Sequence, residues 1–161
     1  MQQQVEQAIW LAHTEQDTVA LAQKLAAWVK PGDLMALDGD LGAGKTRFSQ
    51  AFAGAIGVKG IVNSPTFTII KEYEGEGLPF YHMDVYRLSS EEADELGLDD
   101  YFYGDGVTIV EWASLIKELL PTERLELNIE HLGGDLRRIG ITGIGERYAA
   151  WCKALNEIGA E

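Results

Sequence analysis

The chain has 161 residues, 46% of them apolar and 24% charged, a balance that excludes charge-driven disorder and suits one folded domain with one sizeable core. Thirteen basic residues against 26 acidic ones leave a formal net charge of −13, and the basic residues form no run. Such a chain lacks the basic face with which a protein grips a nucleic-acid backbone or an anionic membrane, so tight direct binding of RNA or DNA is disfavoured.

The N-terminal segment MQQQVEQAIWLAH carries neither the basic flank nor the long apolar centre of a secretory signal. Within it, Ala8 to Leu11 reads as an edge strand. Thr14 through Lys30 then reads as a helix, capped by Thr14 with Asp17 three residues on. Its apolar face is Val19, Ala22, Leu25, Ala26 and Val29, and Pro31-Gly32 ends it. Leu34 to Leu37 is a short apolar run, the signature of a buried strand, and Gly39 to Gly44 is a glycine-rich loop. Lys45 to Ile56 is helical and is closed by Gly57. Ile69 to Tyr73 and Leu78 to Met83 flank Gly75-Glu76-Gly77, the pattern of a hairpin. Ser89 and Ser90 precede an acidic helix that ends at Leu96 and Gly97. The run Glu91 to Glu95 within it is a solvated face.

Val107 to Val110 is a second buried strand, and Ala113 to Leu120 a helix stopped by Pro121. Arg124 to Glu130 alternates, with Leu125, Leu127 and Ile129 on one face. Gly133-Gly134-Asp135 turns into a further strand, Arg137 to Thr142, and a last helix spans about Glu146 to Ile158. It contains the only cysteine, Cys152, which allows no internal disulfide and no multi-cysteine zinc site and reads as a small buried apolar group. No apolar stretch approaches the ~20 residues that span a bilayer. The expected architecture is a single α/β domain over residues 1–161, a P-loop NTPase-like three-layer sandwich with a mixed, mainly parallel central sheet. The expected compartment is the cytoplasm.

The strongest chemical signal is Gly39-Asp40-Leu41-Gly42-Ala43-Gly44-Lys45-Thr46. It fits the P-loop pattern of Gly, four residues, Gly, Lys and Ser or Thr, set between an apolar strand and a helix. Glycines let backbone N–H groups converge on a phosphate, and the following helix offers its free N–H groups and positive dipole end. Lys45 brings a point charge to the β- and γ-phosphates, and the Thr46 hydroxyl can ligate Mg²⁺. A site of this kind needs an acid at the end of a neighbouring strand. Glu111 follows the cleaner buried run and is assigned to the metal. Asp84, after Leu78 to Met83, is assigned to the γ-phosphate side. Ser64-Pro65-Thr66-Phe67-Thr68 is either a loop that senses the γ-phosphate or an ordinary proline turn. His82 reads as a hydrogen-bonded core residue and Trp112 as core. Arg87 and Arg137 are surface ion pairs, or else they neutralise phosphate or line the base pocket.

Four segments in this order form a recognisable set: Gly-Asp-Leu-Gly-Ala-Gly-Lys-Thr (39–46), Asn-Ser-Pro-Thr-Phe-Thr (63–68), Tyr-His-Met-Asp-Val-Tyr-Arg-Leu (81–88) and Val-Glu-Trp-Ala (110–113). Together they closely resemble the TsaE (YjeE) family, the bacterial P-loop ATPases of tRNA threonylcarbamoyladenosine synthesis. The resemblance implies that Gly42, Ala43, Gly44, Lys45, Thr46 and Arg47 bind ATP, and that Thr46 and Glu111 hold Mg²⁺. It further implies that Asp84 serves hydrolysis with Lys45 and Glu111, and that Ser64 and Thr66 form a switch-like loop. Thr14, Glu15 and Arg137 would lie near the base or ribose. The implied partners are the TsaD and TsaB proteins, which modify adenosine 37 of tRNA, so that tRNA is met only indirectly. An acidic NTPase suits that arrangement, docking on a basic partner rather than on RNA.

Two other functions fit a P-loop. A small-molecule kinase would carry an arginine-rich lid, and the chain shows only Arg137-Arg138. A GTPase switch would carry an Asn/Thr-Lys-x-Asp segment, which does not occur. Asp94 to Gly97 matches Asp-x-x-Gly only inside an acidic helix.

Overall fold

The computed structural model describes residues 4–39, 44–60, 62, 63, 65 and 69–159. The first strand, β1 (Val5–Ala12), leads into α1 (Glu15–Trp28), then β2 (Leu34–Gly39) and α2 (Lys45–Ala55). A hairpin, β3 (Ile70–Glu74) and β4 (Pro79–Asp84), is followed by two short helices, α3 (Ser90–Glu95) and α4 (Asp99–Phe102). After β5 (Val107–Glu111) and a 3₁₀ segment (Ala113–Leu119) come β6 (Arg124–Gly133), β7 (Leu136–Ile144) and α5 (Glu146–Gly159). Among the described residues no helix is long and apolar enough to cross a membrane.

The strands form one sheet in the order β1-β7-β6-β2-β5-β4-β3. The three central ladders, β6–β2, β2–β5 and β5–β4, are parallel. The outer ladders, β1–β7, β7–β6 and β4–β3, are antiparallel. The sheet is therefore mixed, parallel in its centre, with the β3–β4 hairpin on one side and the β6–β7 hairpin edged by β1 on the other.

Both faces of the central strands are apolar, as a parallel sheet covered on both sides requires. One face packs Met35 and Leu37 of β2 and Ile109 of β5 against Leu21 and Leu25 of α1, Phe48 and Phe52 of α2 and Trp151 and Leu155 of α5. The other packs Leu34, Ala36, Met83 and Val110 against Ala93, Leu98, Phe102, Ala113 and Ile116. The second outer layer thus covers only the β2–β5–β4 half. On β1, Val5, Ile9 and Leu11 are about half exposed, and a cavity of about 480 Å³ opens between β1 and the 3₁₀ segment, lined in part by Gln7, Ile9, Asp38, Ser114 and Lys117.

Most expected elements form, with three differences. The buried face of α1 is Thr18, Leu21, Ala22 and Leu25, while Val19 and Val29 are half-buried at its margins. Residues 113–119 are 3₁₀ rather than α, with a break at Ile116. The two buried residues there, Ala113 and Ile116, stand three apart, which matches a turn of three residues. Helix α4 has no counterpart in the sequence reading, since four residues with one buried side chain, Phe102, show no period.

The start of β2 is tied to α5 by a buried polar knot. The Asp33 carboxylate accepts from Lys30 N (2.7 Å), Arg147 Nη2 (2.6 Å) and the Tyr148 hydroxyl (3.1 Å), and that hydroxyl in turn accepts from Leu34 N (3.0 Å). Burial raises the Asp33 carboxyl against the pull of Lys30 N–H and Arg147, and burial with the Asp33 charge drives the Tyr148 phenol far above its usual range. Cys152, fully buried on the same helix, is the small core group expected, its thiol pushed up to about 11 by burial. Replacing Tyr148→Phe strands the buried Leu34 N–H. It is expected to lower stability by about 1–3 kcal/mol in urea unfolding, with the slope m unchanged.

Candidate functional site

The parallel ladders bring three strand ends to one edge of the sheet. Asp84, the last residue of β4, is the register partner of Glu111, the last of β5, and Glu111 is the partner of Leu37 in β2. Pleat alternation carries Phe80, His82 and Asp84 on the face of β4 that Ile109 and Glu111 occupy on β5, the face that packs on α2. Both carboxylates are buried, Asp84 at 5% exposure and Glu111 at 3%.

Beside them β2 ends at Gly39, and α2 begins at Lys45 after Gly44 in a left-handed conformation (φ 109°). Lys45 is buried, and its ammonium donates to the Gly39 carbonyl. The Lys45 Nζ also lies 3.8 Å from the centre of the Trp112 ring, a cation–π contact. Trp112 is therefore not a plain core residue. It directly follows Glu111, takes a left-handed backbone (φ 62°), donates its N–H to Leu37 O (2.9 Å) and packs on Tyr86 (4.7 Å between rings). A non-glycine residue held there is costly and survives only where its surroundings over-determine it.

Each acid is oriented by a neighbour. Asp84 Oδ1 accepts from Tyr86 N (2.9 Å), and Asp84 N donates to the carbonyl of Ile69 (2.8 Å), itself at φ 69°. Glu111 Oε2 is 2.5 Å from His82 Nε2. His82 is thus the hydrogen-bonded interior residue expected, and the sequence reading did not foresee that its partner is Glu111. Strand period alone puts 82 and 84 on one face, but only the β4–β5 register brings 82 to 111.

Among the described residues no three His, Cys, Asp or Glu side chains cluster closely enough to hold a metal by themselves. The donor set does fit a Mg²⁺ that arrives with a nucleotide. Such an ion takes one or two carboxylates and a hydroxyl from the protein and the rest of its shell from phosphates and water. Glu111 at a strand end and Thr46, second residue of α2, are donors of that kind.

A second pocket, about 250 Å³, lies alongside the first turn of α2. It is lined by Glu15, Thr18, Gly44, Arg47, Asp135 and Arg137. Of the residues assigned to the base or ribose side, Glu15 and Arg137 meet here with Arg47, whose Nε is 3.5 Å from Glu15 Oε1. Thr14 does not line the pocket and serves as the N-cap of α1, where its N–H donates to Asp17 Oδ2 (3.3 Å). Thr18 and Asp135 also line this pocket and were not among the residues expected there. Thr18 sits one helical turn beyond Glu15, so a helical-wheel reading could have found it. Asp135 reaches the pocket only through the β6–β7 turn. Gly42, Ala43, Ser64 and Thr66 lie outside the described residues. Arg87 is exposed in the turn after β4 and lines neither cavity.

Comparison with known proteins adds a second line of argument. The profile described as "Threonylcarbamoyl adenosine biosynthesis protein TsaE" matches residues 12–139. The chain belongs to the TsaE family. It is 52% identical over 152 residues to the tRNA threonylcarbamoyladenosine biosynthesis protein TsaE of Bacillus subtilis (strain 168), a match that covers 94% of this chain and 96% of that one. It is 41% identical over 137 residues to the protein of the same name from Streptomyces coelicolor, covering 80% and 92%. The crystal structure of Bacillus subtilis YdiB superimposes with a TM-score of 0.83 at 48% identity, covering 97% and 98% of the two chains. The matched region of this TsaE-family chain contains all four motif segments and ends inside β7, while α5 lies beyond it.

Gly39 is the tightest point of the site. It has φ 147°, and a Cβ there would stand 2.5 Å from the Ile129 carbonyl oxygen. A Gly39→Ala variant is expected to lose about 1–3 kcal/mol of stability by overpacking and to bind ADP more weakly, as measured by urea unfolding and nucleotide titration.

Proposed function

We propose that this TsaE-family chain is a Mg²⁺-dependent ATPase that supports threonylcarbamoyl modification of tRNA adenosine 37 by acting on a complex of the TsaB and TsaD proteins. The observation that carries the reading is the meeting of Lys45, Asp84 and Glu111 at the carboxyl ends of β2, β4 and β5. This is the edge of a parallel sheet where ligands of open α/β folds bind. In this reading Gly42 to Thr46 hold the phosphates through loop N–H groups, and Lys45 moves its charge from the Gly39 carbonyl to the β- and γ-phosphates. Glu111 and Thr46 would hold Mg²⁺, and the ion would supply electrostatic stabilisation of the phosphate charge. Asp84, fixed by Tyr86 N, orients the water that attacks the γ-phosphorus. Glu15, Arg47 and Arg137 border the base or ribose, and Ser64 and Thr66 sense the γ-phosphate.

The electrostatics support an indirect role at tRNA. A net charge of −13 repels an RNA backbone and suits a basic protein surface. Intrinsic turnover is expected to be slow, with full activity depending on groups completed by the partner proteins, an effect worth about 10³–10⁵ in rate in other phosphoryl-transfer enzymes.

The test is phosphate release from the chain alone, with tRNA, and with TsaB and TsaD. Slow release alone and acceleration only by the protein pair are expected. Fast release alone, or stimulation by tRNA without the proteins, overturns the partner-dependent part. Lys45→Ala is expected to reduce release by about 100-fold or more, and near-normal turnover of the folded variant would remove the ATPase assignment.

A further inference from the structure

The His82 imidazole is fully buried inside β4, and none of the roles proposed for Lys45, Asp84 and Glu111 requires a histidine there. Its Nε2 stands 2.5 Å from Glu111 Oε2. Its Nδ1 is buried and has no hydrogen-bond partner among the described residues. Buried polar atoms are nearly always paired, and in the described structure the bond from Nε2 to Glu111 is the one this ring makes. A carboxylate oxygen only accepts, so Nε2 carries the hydrogen and donates it to Glu111. The ring is held in plane by stacking on Phe80 (5.7 Å, 19°), which in turn rests on Phe52 of α2 (5.7 Å). The β4–β5 register makes His82 the partner of Ile109, so Glu111 is its diagonal neighbour on the same face.

We infer that His82 is the positioning residue of Glu111: its Nε2–H grips Oε2, fixes the plane of the carboxylate and turns Oε1 toward a Mg²⁺ carried in by the nucleotide. This rests on the assignment of Glu111 to the metal. His82 touches neither nucleotide nor metal. It gives a hydrogen-bond donor to a carboxylate at 3% exposure, and it removes rotational freedom that the carboxylate would lose on binding the ion. Hydrogen-bonding partners of metal ligands typically contribute 10–100-fold in metal affinity.

The test uses the full chain with ADP bound and Mn²⁺ as a paramagnetic stand-in for Mg²⁺, with free Mn²⁺ read by electron paramagnetic resonance. His82→Leu removes the donor. His82→Gln returns an amide N–H near the position of Nε2. His82→Asn keeps a polar group too short to reach Oε2. The Leu and Asn variants are expected to bind Mn²⁺ about 10–100-fold more weakly, while their ADP affinity in EDTA stays within about twofold of the parent. Gln is expected to recover most of the loss, and the Mg²⁺ concentration that half-activates phosphate release should follow the same order. Parent-like Mn²⁺ binding in the folded Leu or Asn variant overturns the proposal, as does a Gln variant as weak as Asn, which would reduce His82 to packing. If Leu fails to fold, the Gln–Asn pair decides alone. A Glu111→Gln variant that binds Mn²⁺ like the parent would overturn the metal assignment itself, and the inference with it.

Discussion

The β5 ladder, paired in parallel with β2 on one side and β4 on the other, sets the register of everything at the site. A strand has a side-chain period of two, so a slip of one residue between β4 and β5 would turn His82 and Asp84 to the opposite face and place a hydrophobe beside Glu111. The apolar residues on both faces oppose that slip. Phe80, Val107 and Ile109 must stay under α2, and Met83 and Val110 under α3 and the 3₁₀ segment. The chemistry at the strand ends is therefore positioned by hydrophobic burial several residues away.

That arrangement collects charge where water is scarce. Lys45, Asp84 and Glu111 are each no more than 6% exposed, and a buried charge without partners costs several kcal/mol. Each is met by a fixed group: the Gly39 carbonyl and Trp112 ring for Lys45, Tyr86 N for Asp84, the His82 imidazole for Glu111. These partners are supplied by turns and strands that cannot relax without disturbing the core. The left-handed backbones of Ile69 and Trp112, next to the two acids, belong to the same scheme. Strain of that kind is ordinarily tolerated where a site has to be held ready rather than assembled on demand.

The two halves of the sheet are finished differently. On the β4 side both faces are covered, and the site is built there. On the β1 side α1 and α5 cover one face, and the knot of Asp33, Arg147 and Tyr148 joins α5 to the first residues of β2. The C-terminal helix, which lies outside the family-matched region, thus braces the strand that leads into the glycine-rich segment.

The sequence by itself determined most of the elements and the family. Alternation and short apolar runs located all seven strands, the caps at Thr14 and Ser89 marked two helix starts, and four spaced motifs pointed to TsaE. Those features are local: they depend on neighbours within a few residues, and the physics of caps, turns and amphipathic faces is local too. It also named Lys45, Asp84 and Glu111, because a strand ending in an acid and a glycine loop ending in lysine are visible without contacts. What it could not supply was pairing across distance. The 3₁₀ form of residues 113–119 follows from how Ala113 and Ile116 pack, and the meeting of Glu15 with Arg47 and Arg137 follows from where α1 lies. The role of Trp112 under Lys45 and the bond from His82 to Glu111 join residues 67 and 29 positions apart in the chain. Only the strand order and register, fixed by burial of both sheet faces, decide which distant side chains meet.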